Sequence, residues 1–197
     1  MEYMTGHRPD DLAYLDSNNI SRDEVSATLA RIFNTMIFAP NAPLHCDPHG
    51  GNIAVRVNHS RSSPHNFDII LYDHGLYRYI PLHLQRNYAK LWLAVLHADE
   101  PKMRQYAKEV AGITDEQFPL FASAITGRDY RVVTQNVSRV PRSAEEKQAI
   151  SDALGDGLLQ QLVQLLGKLP RIFLLILKTN DLSRSRPLTS HEKVPLT

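Results

Sequence analysis

The sequence predicts an α+β fold that is mostly α-helical, and three observations carry that prediction. Apolar residues recur at helical spacing through nearly all of the chain after Ile80. Two runs rich in β-formers, Ile53–Val57 and residues 67–72, flank a polar loop and predict one β-hairpin. Three pairs, Ser21/Glu24, Thr114/Gln117 and Ser143/Glu146, have the spacing of a capping box and mark helix starts.

The elements follow in order. Ser21 as N-cap, with Ile20 and Val25 at the staple positions, starts a helix over Arg22–Phe38. Val25, Leu29, Ile32, Phe33 and Met36 give it one buried stripe, and Pro40, Asn41 and Pro43 end it. A loop rich in Pro and Gly comes next, then the hairpin, whose long tip contains Asn58, Ser60, Arg61, Pro64 and Asn66. Pro81 suits the first turn of a helix carrying Leu84, Tyr88, Leu91, Trp92 and Val95. Met103, Tyr106, Ala107 and Val110 form the next stripe, closed by Gly112 as a C′ glycine. Thr114 and Gln117 precede Phe118, Phe121 and Ile125, and Gly127 stops that helix. Ser143 and Glu146 precede Ile150, Leu154, Leu158, Leu162 and Leu165. A last helix runs from Pro170 towards Asp181, and the polar tail beyond Arg186 is expected to fray.

Composition narrows the function classes. With 43% apolar and 22% charged residues over 197 positions, the default is one compact domain. A net charge of +1 provides no long-range field towards nucleic acid or an anionic membrane, and no RNA-binding pattern interleaves the aromatic and basic residues. The single cysteine, Cys46, rules out an internal disulfide framework and fits a reducing compartment. Met1 to Gly6 has neither a basic nor an apolar leader region, so no targeting segment is expected. The most apolar stretch, residues 158–177, is broken by Lys168, Pro170 and Arg171, and reads as two buried helices meeting at Pro170 rather than a membrane span.

The chemistry is concentrated in His45-Cys46-Asp47-Pro48-His49-Gly50-Gly51-Asn52 and in Asp73-His74-Gly75 at the far end of the hairpin. An Asp, an Asn five positions on, and an Asp-x-Gly after a hairpin form the layout of a kinase-type phosphotransfer site. Asp47 would orient or deprotonate an attacking hydroxyl. Asn52 and Asp73 would hold Mg2+ against the phosphates of ATP. Each residue has a plainer reading: Asp47 and Asn52 as turn residues, Asp73-His74-Gly75 as a common turn at a strand end. It is the ordered combination, with a helix before it and a hairpin inside it, that favours the phosphotransfer site. Zinc fits poorly, because His45, Cys46, Asp47 and His49 are too close in sequence to converge on one ion and no second Cys/His pair lies at finger spacing. Cys46 reads as a small buried hydrophobe. His74 reads as packing under its loop, and Tyr88, Trp92 and Phe121 as core. Arg128, Arg131 and Arg139 could bind phosphate but read as solvated.

These motifs resemble the UbiB-type atypical kinases, the aarF-domain family, whose catalytic loop reads HADPHPGN. Here Cys46 replaces the Ala and Gly50 the second Pro, neither of them a ligand position. Asp73-His74-Gly75-Leu76-Tyr77 matches a mitochondrial branch, Met1 to Gly6 resembles the hinge segment, and Pro170 through Leu182 resembles the end of the kinase-like domain. The resemblance implies a protein-kinase-like C-lobe over residues 1–186, with one β-hairpin carrying the metal-binding motifs, and a disordered tail over 187–197. It implies Asp47 as the catalytic-loop acid, Asn52 and Asp73 as metal ligands, and Glu2, Tyr3 and Met4 as backbone partners of adenine. Only forty-four residues precede His45, so the family's KxGQ helix, phosphate loop and anchoring lysine have no counterpart here, and the expectation is a C-lobe inactive by itself. For the full-length protein the resemblance implies ATP and Mg2+, a small-molecule or lipid substrate, membrane association, and a mitochondrial role in coenzyme Q or lipid homeostasis. Independently of the family, only Leu76 to Ile80 separate Gly75 from the next helix start, leaving no activation segment to build a peptide platform. Three readings stay open: a phosphotransferase or ATPase of this type, a non-catalytic binding module, and an aminoglycoside- or choline-type kinase.

Overall fold

A computed structural model describes residues 4–60, 65–127, 130, 133 and 156–184. The chain is α+β and mostly helical, as expected, and divides into two units: Met1–Tyr79 with Lys178–Thr197, and Ile80–Leu177.

The first unit begins with a helix that periodicity could not reveal. α1, Leu12–Ser17, is six residues long and buries only Leu15. Its start is set by Asp11, whose carboxylate accepts from the Tyr14 N–H. α2 spans Arg22–Phe38 as expected, with the Ser21 hydroxyl accepting from the Glu24 N–H at 3.3 Å. The return half of that capping box is replaced, because the Glu24 carboxylate faces His65 at 3.3 Å. The staple forms: Ile20 and Val25 are both buried, in one cluster with Leu15, Val55 and Phe67. The buried stripe of α2 is Val25, Phe33 and Ile37, while Met36 is half-buried.

The hairpin pairs β2, Ile53–Val57, with β3, Phe67–Leu71, in antiparallel register from Ile53 opposite Leu71 to Val57 opposite Phe67. Arg56 and Asp68 face each other across it at 2.8 Å. Two three-residue strands were not expected. β1, Pro43–His45, precedes the hairpin, and β4, Tyr77–Tyr79, follows it; they pair antiparallel, with Leu44 opposite Arg78. The two ladders are nested. β1 and β4 close around β2 and β3, so the chain forms one long hairpin interrupted by an opening.

The second unit starts at α3, Leu82–Leu96, with Pro81 one position earlier than expected, as the N-cap. α4, Glu100–Ala111, ends on Gly112, whose φ of 68° lies in the left-handed region that a side chain disfavours. The Thr114/Gln117 box is reciprocal: the Thr114 N–H donates to Gln117 Oε1 and the Gln117 N–H to Thr114 Oγ1, ahead of α5, Phe118–Thr126. α6, Asp156–Lys168, and α7, Arg171–Arg184, meet at Pro170 as expected. Tyr88, Phe121 and Phe173 are buried together, with Phe173 edge-on to Tyr88 at 5.8 Å. Among the described residues no helix is long and apolar enough to cross a membrane. The Ser143/Glu146 start, Arg128, Arg131, Arg139 and the tail beyond Arg186 lie outside the described residues.

Candidate functional site

The opening between the two nested ladders holds both motifs. At one end the Cys46 N–H donates to the Leu76 carbonyl at 3.1 Å; at the other the Tyr72 N–H donates to the Asn52 carbonyl at 2.8 Å. Asp47 to Gly51 form one side of the opening and Asp73 to Gly75 the other. Asn52 and Asp73 therefore leave the same end of the β2–β3 hairpin, as the sequence order requires.

His45 spans the opening. It is 1% exposed, its Nδ1 accepts from the Asp47 N–H at 3.1 Å, and its Nε2 lies 3.1 Å from the Tyr72 carbonyl. Since Nδ1 accepts, Nε2 carries the proton and donates to Tyr72. One buried ring thus fixes the backbone of the Asp47 loop against the residue preceding Asp73. Cys46 is buried beside it, its Sγ donating to the Leu44 carbonyl, and burial pushes the thiol up, as suits a packing residue.

Asn52 ends a short 3-10 turn, Gly50–Asn52, started by His49, whose Nδ1 accepts from the Gly51 N–H at 3.0 Å. The Asn52 amide nitrogen donates to the Asp47 carbonyl at 3.0 Å. That bond fixes the amide's orientation and leaves Oδ1 without a donor among the described residues. Asp73 has a φ of 54°, the left-handed region that Asp tolerates better than most residues, and one carboxylate oxygen accepts from the Gly75 N–H at 3.3 Å. Two oxygen donors, one a carboxylate, suit Mg2+, which keeps waters and phosphate oxygens in its shell. They do not amount to an all-protein cage, and among the described residues no group of three or more His, Cys, Asp or Glu could hold a metal.

The Asp47 carboxylate does not make the local turn of the plainer reading. Its Oδ1 meets Lys178 Nζ of α7 at 2.6 Å, and its Oδ2 lies 3.7 Å from His49 Nε2. The Lys178 ammonium holds this carboxyl below the usual carboxylate range. No sequence spacing links positions 47 and 178, so this partner was missed. His74 corrects a second expectation. It is exposed, its ring parallel to Tyr77 and its Nδ1 2.7 Å from the Tyr77 hydroxyl.

Of the three hinge residues, Glu2 and Tyr3 lie outside the described residues. The Met4 carbonyl accepts from the Tyr72 hydroxyl at 3.0 Å, and His7 bridges to Val55 through N–H and carbonyl at 2.8 and 2.7 Å. The end of the expected hinge segment and the residue after it are thereby bound to the hairpin. Met4, Ile32, Ile70, Leu71 and His74 help line an open cleft of about 580 Å³ beside it.

Comparison with known proteins gives the arrangement its family. The model of the ABC1 atypical kinase-like domain matches residues 1–107, from the expected hinge through both motifs. The chain belongs to the ABC1 family. Similar relatives include "ABC1 family protein MCP2" of Saccharomyces cerevisiae, 52% identical over 93% of this chain and 33% of the relative. The homologue of that name in Schizosaccharomyces pombe is 48% identical over 94% of this chain and 34% of the relative. "AarF domain-containing protein kinase 1" of Gallus gallus is 36% identical over 98% of this chain and 36% of the relative. The chain thus spans about one third of the length of the ABC1 relatives it matches. No solved structure matches it. ABC1 membership favours a kinase-like domain of UbiB type over the aminoglycoside- or choline-type reading.

Proposed function

We propose that this chain forms the C-lobe of an ABC1 kinase-like domain, supplying the catalytic-loop acid and the metal-holding side of an Mg-ATP site that acts on a small-molecule or lipid substrate, by phosphoryl transfer or ATP hydrolysis. The observation that carries the proposal is the opening in the interrupted hairpin. It sets Asp47, Asn52 and Asp73 on two facing loops tied together by buried His45.

In this reading Asn52 Oδ1 and the Asp73 carboxylate would hold Mg2+, which would neutralise charge on the phosphates. Asp47 accepts a hydrogen bond from the attacking hydroxyl or water and fixes its direction of approach. The new O–P bond forms as the bridging bond to the terminal phosphoryl breaks, ADP leaves, and the nucleophile's proton passes to Asp47 or to a phosphate oxygen. The transition state of such transfers is loose, so orientation counts for more than early deprotonation. A carboxylate held ionised by an ammonium at 2.6 Å is a poor base and a fixed acceptor, which agrees with an orienting role. β4 begins at Tyr77 and α3 at Leu82, and this short connection supports a small substrate over a peptide. Adenine contacts from Glu2, Tyr3 and Met4, membrane association of the full-length protein, and a mitochondrial setting in coenzyme Q or lipid homeostasis are part of the same proposal and rest on the family resemblance.

The test separates the two acids in the full-length gene product. Asp73→Asn is expected to weaken magnesium-dependent ATP binding more than Asp47→Asn does, because Asp73 acts on the bound ground state and Asp47 on the reacting group. Titration of ATP with and without magnesium measures this, and equal losses in the two variants would remove the assigned roles.

A further inference from the structure

We propose that Lys178 is a positioning residue for Asp47, holding its carboxylate in the orientation that receives the attacking hydroxyl or water. The inference rests on the phosphotransfer reading of Asp47 and adds to it a residue 131 positions away in sequence.

Four observations carry it. First, the contact is direct, 2.6 Å from Nζ to Oδ1, within the range of charge-assisted bonds. Second, the loop cannot supply this charge itself. Asp47-Pro48-His49-Gly50-Gly51-Asn52 contains no lysine or arginine, and His49 stands back at 3.7 Å. A bare carboxylate beside a polyphosphate would repel it, and the ammonium offsets that repulsion at the point where phosphoryl charge must be brought close. Third, the lysine rises from an anchored stretch of α7. Ile176 and Thr179, on either side of it, are both 0% exposed, so the base of the side chain is fixed although its tip is open to water. Fourth, Asp47 is held at its main chain and at one carboxylate oxygen. Its N–H goes to buried His45 and its carbonyl accepts from Asn52, while Lys178 takes Oδ1. Without the lysine the loop backbone would stay in place and the carboxylate would rotate. Two of the three ammonium protons remain for solvent or a phosphoryl oxygen.

An exposed ion pair by itself adds little to stability, so the role should appear in turnover rather than in folding. The test uses Lys178→Met and Lys178→Arg in the full-length gene product, reading Mg-ATP turnover, nucleotide KM and thermal unfolding. The Asp47 carboxyl titration is followed by carbon NMR in the 197-residue chain. The expected result is a kcat about tenfold to a hundredfold lower in Lys178→Met, the cost of a misplaced reacting group. KM for nucleotide and the unfolding temperature should stay close to the parent. Partial recovery is expected in Lys178→Arg, as is an Asp47 titration displaced upward in Lys178→Met alone. Parent-like turnover in Lys178→Met overturns the inference and leaves the phosphotransfer reading standing. Faster turnover in that variant also overturns it, because the pair would then be a latch. If the parent neither binds nor turns over Mg-ATP, the phosphotransfer reading fails and this inference with it. Should Lys178→Met fail to fold, the arginine variant decides: its kcat must change while the fold is kept, or the inference falls.

Discussion

At the residue scale, the site depends on close approach and on a few fixed hydrogen bonds. Gly6 shows the first. A Cβ there would lie 2.9 Å from the Ala54 Cβ and 3.1 Å from the Val55 carbonyl oxygen, so the end of the expected hinge segment can lie against β2 only as glycine. Gly6→Ala is expected to destabilise the chain by about 1–3 kcal/mol, the usual cost of overpacking, since the obstructing atoms belong to a paired strand. Urea unfolding measures it, and a change below a few tenths would show that the segment lifts away freely. Asp68 shows the second. The Arg56 guanidinium, then the Asn58 amide, hold its carboxyl below the usual range. A carboxyl whose folded pKa is depressed contributes stability that is fully present above its unfolded pKa, near ~3.9, and is lost as pH falls through the folded value. Because this pair is partly exposed, the difference between the parent and Asp68→Asn should be only about 0.5 kcal/mol at neutral pH, vanishing in acid. Thermal melts of both proteins across pH 2 to 7 check the sign (roughly the span over which a surface carboxyl titrates). A gap that widens in acid would contradict the assignment.

At the element scale, the turn between α3 and α4 contains a strained residue. The Asp99 N–H donates to the Ala94 carbonyl at 2.9 Å and the Ala98 N–H to the Val95 carbonyl at 3.2 Å, the two bonds of a Schellman motif. The left-handed position of that motif is Ala98, with φ 52°, where glycine is usual. Ala98→Gly should therefore stabilise the chain by about 0.5–1 kcal/mol, strain relief outweighing the added freedom of the unfolded state. Chemical denaturation reads the change, and a destabilised variant would mean the Ala98 methyl contributes packing that exceeds the strain. Legibility in the sequence follows element length. α2, the β2–β3 pair, α4 and α5 were readable because each carries several turns of stripe, alternating β-formers, or both a cap and a stop. α1 was not, since six residues hold too few apolar positions for a period. β1 and β4 were not, since three residues form a ladder only when a partner of matching register is brought to them.

At the scale of the whole molecule, the candidate site is open. Asp47 and Lys178 have side chains 42% and 51% exposed, and Asp73 is exposed as well. Contacts between charges in water are weak, and nucleotide sites usually enclose most of their ligand. The 197-residue chain by itself is therefore expected to bind Mg-ATP no more tightly than the millimolar range, on the order of −4 kcal/mol. Calorimetry with magnesium and ATP decides this. Micromolar binding by a monodisperse monomer would mean that these loops close over the nucleotide without further chain.

The sequence by itself determined the helices with full stripes, the hairpin, and the order Asp47, Asn52, Asp73, because periodicity, capping and motif spacing are local properties of a chain. Tertiary structure decided what the two loops are: the facing sides of one opening, closed by a second ladder and spanned by a buried histidine. It also placed Lys178 on Asp47. Contacts at 27 and 131 residues' separation leave no periodic trace. They arise only when packing elsewhere, of Leu44 in β1 and of Thr179 beside Lys178, brings distant segments together.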